Sequence, residues 1–143
     1  MLEDSISKRR GSSLTPQLEI LVYLRNSRAF SNLLFEELEV LLEYLEVIER
    51  EEGQFEMAAG FSIVYEGSIV DQRTGLHLSA GSIIDHSDGT GSWAAGEPVK
   101  ILFFSAALTN TLLRKEPELG LLLTDRLKSL QESGSVITME RPS

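Results

Sequence analysis

The chain contains no cysteine, which removes disulfides, thiolate metal sites, iron–sulfur clusters and cysteine nucleophiles together. No apolar run approaches the roughly 20 residues that a membrane-crossing helix needs. The opening MLEDSISKRRGSS carries basic residues with no apolar stretch behind them, so it does not read as a secretory signal. Positive charge is scarce too: 13 Lys and Arg stand against 22 Asp and Glu, a formal net charge of −9. Duplex DNA binders present a basic face, because phosphate contacts supply most of their non-specific affinity. The one basic cluster, Lys8 to Arg10, sits in the opening arm. The expectation is a cytoplasmic protein with no nucleic-acid partner and no membrane insertion.

What is present is one domain's worth of globular sequence: 143 residues, 42% hydrophobic and 24% charged, enough for a real core. We expect a flexible arm at 1–13, a domain at 14–132 and a flexible tail at 133–143. TPQLEILVYLRN predicts a helix, with Thr15 as N-cap, Pro16 at the first helical position, and Leu18, Leu21 and Val22 at helical spacing. LFEELEVLLEYLEVIER predicts a second helix. Its Leu38, Leu41, Leu42 and Leu45 form an apolar stripe, and Glu36, Glu37, Glu39, Glu43 and Glu46 lie largely outside it, a solvated face and not a catalytic set.

After Glu49 the period changes. FSIVYEGSIVDQ alternates Phe61, Ile63 and Tyr65 before Gly67, RTGLHLSAGSII adds another Gly-punctuated pair, and VKILFF is a short apolar strand. Short strands broken by Gly at close spacing argue for an antiparallel sandwich or barrel. The helix period then returns, with Ser105 as an N-cap, a break near Pro117, and a closing helix carrying Leu119, Leu122, Leu123, Leu127 and Leu130. Helices, then strands, then helices make the class α+β.

Several segments, in this order, resemble cyclic nucleotide-binding domains. FSNLLFEELEVLLEYLEVIEREEGQ is similar to that family's opening helix and the strand and Gly turn after it. IVYEGSIVD resembles its strand–Glu–Gly–Ser–Val turn, and LSAGSII its Leu-x-x-Gly-Asp segment. AAGEPVKILFFS is similar to the strand after its ligand loop, and LLRKEPELGLLLTDRLKSL to its closing helices. The resemblance spans roughly 30–130. It implies a small antiparallel jelly-roll β-barrel flanked by N-terminal and C-terminal helices. It also implies a phosphate-binding cassette: a Gly-Glu start, a short helix, and an Arg before the next strand. In that family the Arg pairs the cyclic phosphate, the Glu holds the ribose 2′-hydroxyl, and backbone N–H groups cap the oxygens.

The cassette is where this sequence departs. Counted from Gly81, the Gly-Glu positions fall near Asp85 and His86, and only HSDGTGS then precedes Trp93. No Arg or Lys occurs between Arg73 and Lys100. The loop offers Asp85 and Asp88 instead. A phosphate about 5 Å from one carboxylate, at an effective dielectric near 20, meets about 3 kcal/mol of repulsion, a loss of more than about a hundredfold in affinity.

Other chemistries find little support. Asp85, Asp88 and Gly89 lack the alternating oxygen ligands and distal Glu of a calcium loop, and a turn explains them. His77 and His86 do not form the His-x-His pair of a cupin metal site. Ser87, Thr90 and Ser92 have no His–carboxylate arrangement to activate a hydroxyl. Trp93 reads either as core packing or as a surface that stacks on a planar ligand or anchors a partner. No cofactor and no metal are implied.

The sequence therefore predicts a non-catalytic regulatory or protein-interaction module that has lost cAMP and cGMP binding. One alternative is a sensor of a different small ligand at the barrel mouth, held by Ile84, Asp85, His86, Ser92 and Trp93. Another is a fragment of a larger signalling or transport protein; related transcription factors carry a DNA-binding helix pair after the closing helix, where only QESGSVITMERPS stands here. A protein partner or homodimer is expected, with Leu119, Leu123, Leu127 and Leu130 as interface candidates and the first helix, apolar on more than one face, as a second surface.

Overall fold

A computed structural model describes residues 16–27, 30, 33–89, 91–134 and 136–138. The opening arm with Lys8 to Arg10, the Thr15 cap, Thr90 and residues 139–143 lie outside them. The chain divides into two compact units, 1–43 and 44–143.

The first unit holds α1 (Pro16–Asn26) and most of α2 (Phe35–Tyr44). Pro16 opens α1, where its fixed φ suits the first turn and its missing N–H costs nothing. Ile20, Leu21 and Leu24 are buried along one side, while Leu18 and Val22 are exposed. The start of α2 is closed by its own sequence: the Leu34 backbone N–H donates to Glu37 Oε1 at 2.7 Å, the reach-back half of a capping box. Leu38 and Leu41 are buried, and Glu36, Glu39 and Glu43 are exposed.

The helix predicted through Arg50 ends at Tyr44. Glu46–Arg50 is instead the strand β1, buried only at Ile48. β-Branched Val47 and Ile48 suit a pleated surface, and pairing with β8 (Val99–Ser105) decides the matter, with Ile48 opposite Ile101.

The remaining strands are β2 (Gly53–Met57), β3 (Gly60–Glu66), β4 (Ser68–Asp71), β5 (His77–Ser79), β6 (Ile83–Asp85), β7 (Gly91–Ala95) and β9 (Ile137–Thr138). They form a five-stranded sheet in the order β1-β8-β3-β6-β9 and a four-stranded sheet in the order β2-β7-β4-β5. Every pair is antiparallel except β6 with β9. Neither sheet closes into a barrel among the described residues; the fold is α+β with a jelly-roll pair of open sheets. One core joins them: Ile48, Val64, Ile84, Ile101 and Phe103 from the first meet Met57, Ile69, Leu78, Trp93 and Ala95 from the second. Gly60 is fixed by close approach, since a Cβ there would lie 2.3 Å from the Phe104 carbonyl oxygen.

After β8, Ser105 caps α3 (Ala106–Lys115) as its sequence predicts, its hydroxyl accepting the Leu108 N–H at 2.9 Å. Pro117 starts α4 (Pro117–Glu132). Gly120 lets the two helices approach closely, because a Cβ there would meet the Leu113 backbone at 3.0 Å. Among the described residues no helix is long and apolar enough to cross a membrane.

Candidate functional site

The stretch between β6 and β7 is short: β6 ends at Asp85 and β7 begins at Gly91. Several of its polar groups are committed to partners within the chain, while the buried His86 Nδ1 has none among the described residues. Asp85 Oδ1 accepts the Ser87 backbone N–H at 2.9 Å and the Ser87 hydroxyl at 2.6 Å, a local turn of the kind Asp favours. Asp85 Oδ2 accepts from the Gln131 side-chain amide at the end of α4. His86 exchanges both backbone bonds with Gly60, His86 N–H to Gly60 O at 2.9 Å and Gly60 N–H to His86 O at 3.3 Å. The loop is thereby tied to β3 on one side and to α4 on the other.

His86 turns inward. It is 2% exposed, stacked on Phe103 with centroids 5.7 Å apart and edge-on to Trp93 at 6.0 Å. Its Nε2 lies 2.6 Å from Ser62 Oγ, one hydrogen bond whose donor is set by the imidazole tautomer. Ser62 Oγ also meets Met57 Sδ at 3.6 Å. Burial pushes the His86 pKa down to about 4, against opposing contributions from the Ala58 backbone and the Asp85 charge. Near pH 7 the ring is a neutral core group and no counter-charge for an anion.

The predicted ligand set does not converge on an open mouth. Ile84, Asp85, His86 and Trp93 are all buried, and Ile84 and Trp93 belong to the inter-sheet core. Ser92 is exposed on β7, opposite Glu56. The Trp93 indole N–H finds no acceptor among the described residues. His77 lies exposed on β5, in the four-stranded sheet, whereas His86 follows β6 of the five-stranded sheet. Among the described residues no three His, Asp or Glu side chains are grouped to hold a metal.

The four leucines predicted as an interface, Leu119, Leu123, Leu127 and Leu130, are buried within the chain. The exposed apolar residues of α4 are Leu121, at 64%, and Leu122, at 40%. In α1, Ile20 and Leu21 are likewise buried.

Two features escape local sequence reading. Ser62 meets His86 only because β3 pairs with β6, Ser62 lying opposite Ile84. Within the segment read as a tail, β9 pairs in parallel with β6, Ile137 beside Ile84 and Thr138 beside Asp85. Ile137 packs on the inter-sheet core and Val136 is buried. The apolar run Val136–Ile137 is the one signal that pointed there.

No protein-family model and no curated protein matches the sequence. Solved structures do. A cyclic nucleotide-binding domain from Methylobacillus flagellatus KT is similar at 20% identity and a TM-score of 0.60, over 82% of this chain and 76% of that one. The chain has a cyclic nucleotide-binding-like fold. The N-terminal domain of a transcriptional regulator from Streptomyces coelicolor A3(2) is similar at 18% identity and a TM-score of 0.51, over 78% of this chain and 91% of that one. The C-linker and CNBHD of zELK channels are similar at 14% identity and a TM-score of 0.52, over 85% of this chain and 72% of that one. In a cyclic nucleotide-binding-like fold, the stretch between β6 and β7 stands where the sequence resemblance implies the phosphate cassette.

Proposed function

We propose that the chain is a non-catalytic regulatory module that keeps the cyclic nucleotide-binding-like fold and does not take cAMP or cGMP at the β6–β7 loop. The observation that carries this reading is how the loop spends its polar groups. Asp85 accepts from Ser87 and Gln131, and the His86 backbone is closed onto Gly60. Recognition of a cyclic phosphate rests on a charge-assisted cation or on several uncommitted N–H donors. No Lys or Arg lies between Arg73 and Lys100, and His86 is neutral and interior. β9 also takes the outer edge of β6, which supports a site closed by the chain itself.

The non-catalytic part of the reading has its own support. Ser62 and His86 sit at the spacing of a nucleophile and its base, yet both are buried, out of reach of a substrate. The module acts through a protein partner, and a second copy is the partner we favour. Adjacent Leu121 and Leu122, exposed on α4, support that surface in place of the four buried leucines. The lack of cysteine fits a reducing compartment, and cytoplasmic residence belongs to the same proposal.

The sole tryptophan lies edge-on to His86 and reports on the loop directly. With cAMP or cGMP added to about 1 mM, a level that half-fills even a site worth about −4 kcal/mol, Trp93 emission stays unchanged. A saturable change with either nucleotide would contradict the proposal. Light scattering across a concentration series tests the partner: wild type forms dimers that Leu121→Glu disperses, and a monomer throughout would exclude the second copy.

A further inference from the structure

A cavity of about 350 Å³ lies between β3, α3 and α4. That volume falls in the range of small-molecule sites, roughly 300–1,000 Å³. Its walls are mainly apolar: Phe61 comes from β3, and Leu123 and Leu127, one turn apart, come from α4. Thr124, Lys128 and Gln131 form a second row along the same helix, as spacings of four and three residues require.

The polar groups of the lining are unequal. Thr109 Oγ1 donates to the Ser105 carbonyl at 3.3 Å and Thr124 Oγ1 to the Gly120 carbonyl at 2.8 Å, so both hydroxyl protons are spent within their own helices. The Gln131 amide donates to Asp85. Lys128 differs: its side chain is exposed and no ion pair holds it among the described residues. A half-open apolar cleft with one uncommitted ammonium at its rim is complementary to an apolar body carrying one negative charge. The Asp85 carboxylate lies behind Gln131, which disfavours an anion at that end and leaves Lys128 as the place for the head group.

We infer that this cavity binds a free medium-chain carboxylate, its chain against Phe61, Leu123 and Leu127 and its head group on Lys128. The volume suits a single chain and not a two-chain lipid. The inference does not rest on the proposed function, although Gln131, at one end of the lining, also donates to Asp85 beside the β6–β7 loop.

Octanoate, octan-1-ol and octyltrimethylammonium serve as probes, each titrated into the full chain while leucine methyl signals are followed by NMR. Octanoate shifts the Leu123 and Leu127 methyls saturably, and octyltrimethylammonium does so more weakly. Lys128→Gln weakens octanoate roughly fivefold, the scale of one partly exposed charge contact, and leaves octan-1-ol unchanged. Because Lys128 is exposed, its replacement leaves the thermal midpoint where it was. Absence of saturable shifts at Leu123 and Leu127 would overturn the inference. So would equal octanoate affinity in wild type and Lys128→Gln, or ammonium binding as tight as carboxylate binding.

Discussion

Lowering the pH from 7.5 to 5.5 destabilises the fold through His86. In the folded chain the ring is 2% exposed and its pKa is pushed down to about 4. Unfolded, it returns to the ordinary value near 6.5. Between those values the unfolded chain binds the proton and the folded chain does not, so stability rises with pH. The His86 contribution is complete above about pH 6.5 and is lost progressively as pH falls toward 4. Integrated from pH 7.5 to 5.5, the loss is about 1 kcal/mol. This window stays above the sequence isoelectric point near 4.7, and carboxylates remain ionised across most of it. Urea unfolding at the two pH values measures the loss. His86→Gln, which keeps His77 in place, removes the titrating group while retaining a polar side chain toward Ser62. The wild type therefore loses about 1 kcal/mol more than the variant over the same interval. Equal losses in the two proteins, or a His86 ring that titrates near 6.5 by NMR in the folded chain, would refute the reasoning.

Three further substitutions probe the frame around the loop. Gly60→Ala places a Cβ 2.3 Å from the Phe104 carbonyl oxygen, and we expect a loss of about 1–3 kcal/mol by denaturant unfolding. Ser105→Ala removes the cap on Leu108 N–H and lowers stability by about 1 kcal/mol, seen as a lower thermal midpoint. Gln131→Ala leaves Asp85 Oδ2 without its donor and costs about 1–2 kcal/mol. It also speeds amide exchange in the β9 pairing at Ile137 and Ile84, where unchanged exchange would show that Gln131 does not hold the α4 end to the loop.

The parts of the fold that local rules control were legible in the sequence. Pro16, the Ser105 cap and the Pro117 break mark helix limits by backbone chemistry within a few residues, and each falls where it was expected. The Gly-punctuated strands announced the sheets for the same reason. LEVIER misled because Leu45 continues the helical stripe while Val47 and Ile48 suit a strand; pairing with β8, about fifty residues away, settles a conflict that no local window resolves.

At the loop, the shortness and the missing cations were open to inspection, because they are properties of composition and count. The inward turn of His86, its bond to Ser62 and the capture of β6 by β9 were not, since each depends on strand register set by distant pairing. The closing helix shows the same limit. Its leucine spacing gives the existence of an apolar face, but the docking of α4 determines that Leu119, Leu123, Leu127 and Leu130 are turned inward and that Leu121 and Leu122 are left outside.

The proposal that this cyclic nucleotide-binding-like fold does not take a cyclic nucleotide at the β6–β7 loop has a direct calorimetric test. Isothermal titration calorimetry of the purified chain with cAMP, and separately with cGMP, at pH 7.5 and low salt tests it most directly. Dilution heats alone are expected up to about 1 mM nucleotide. A one-to-one isotherm with a micromolar dissociation constant for either nucleotide would contradict it.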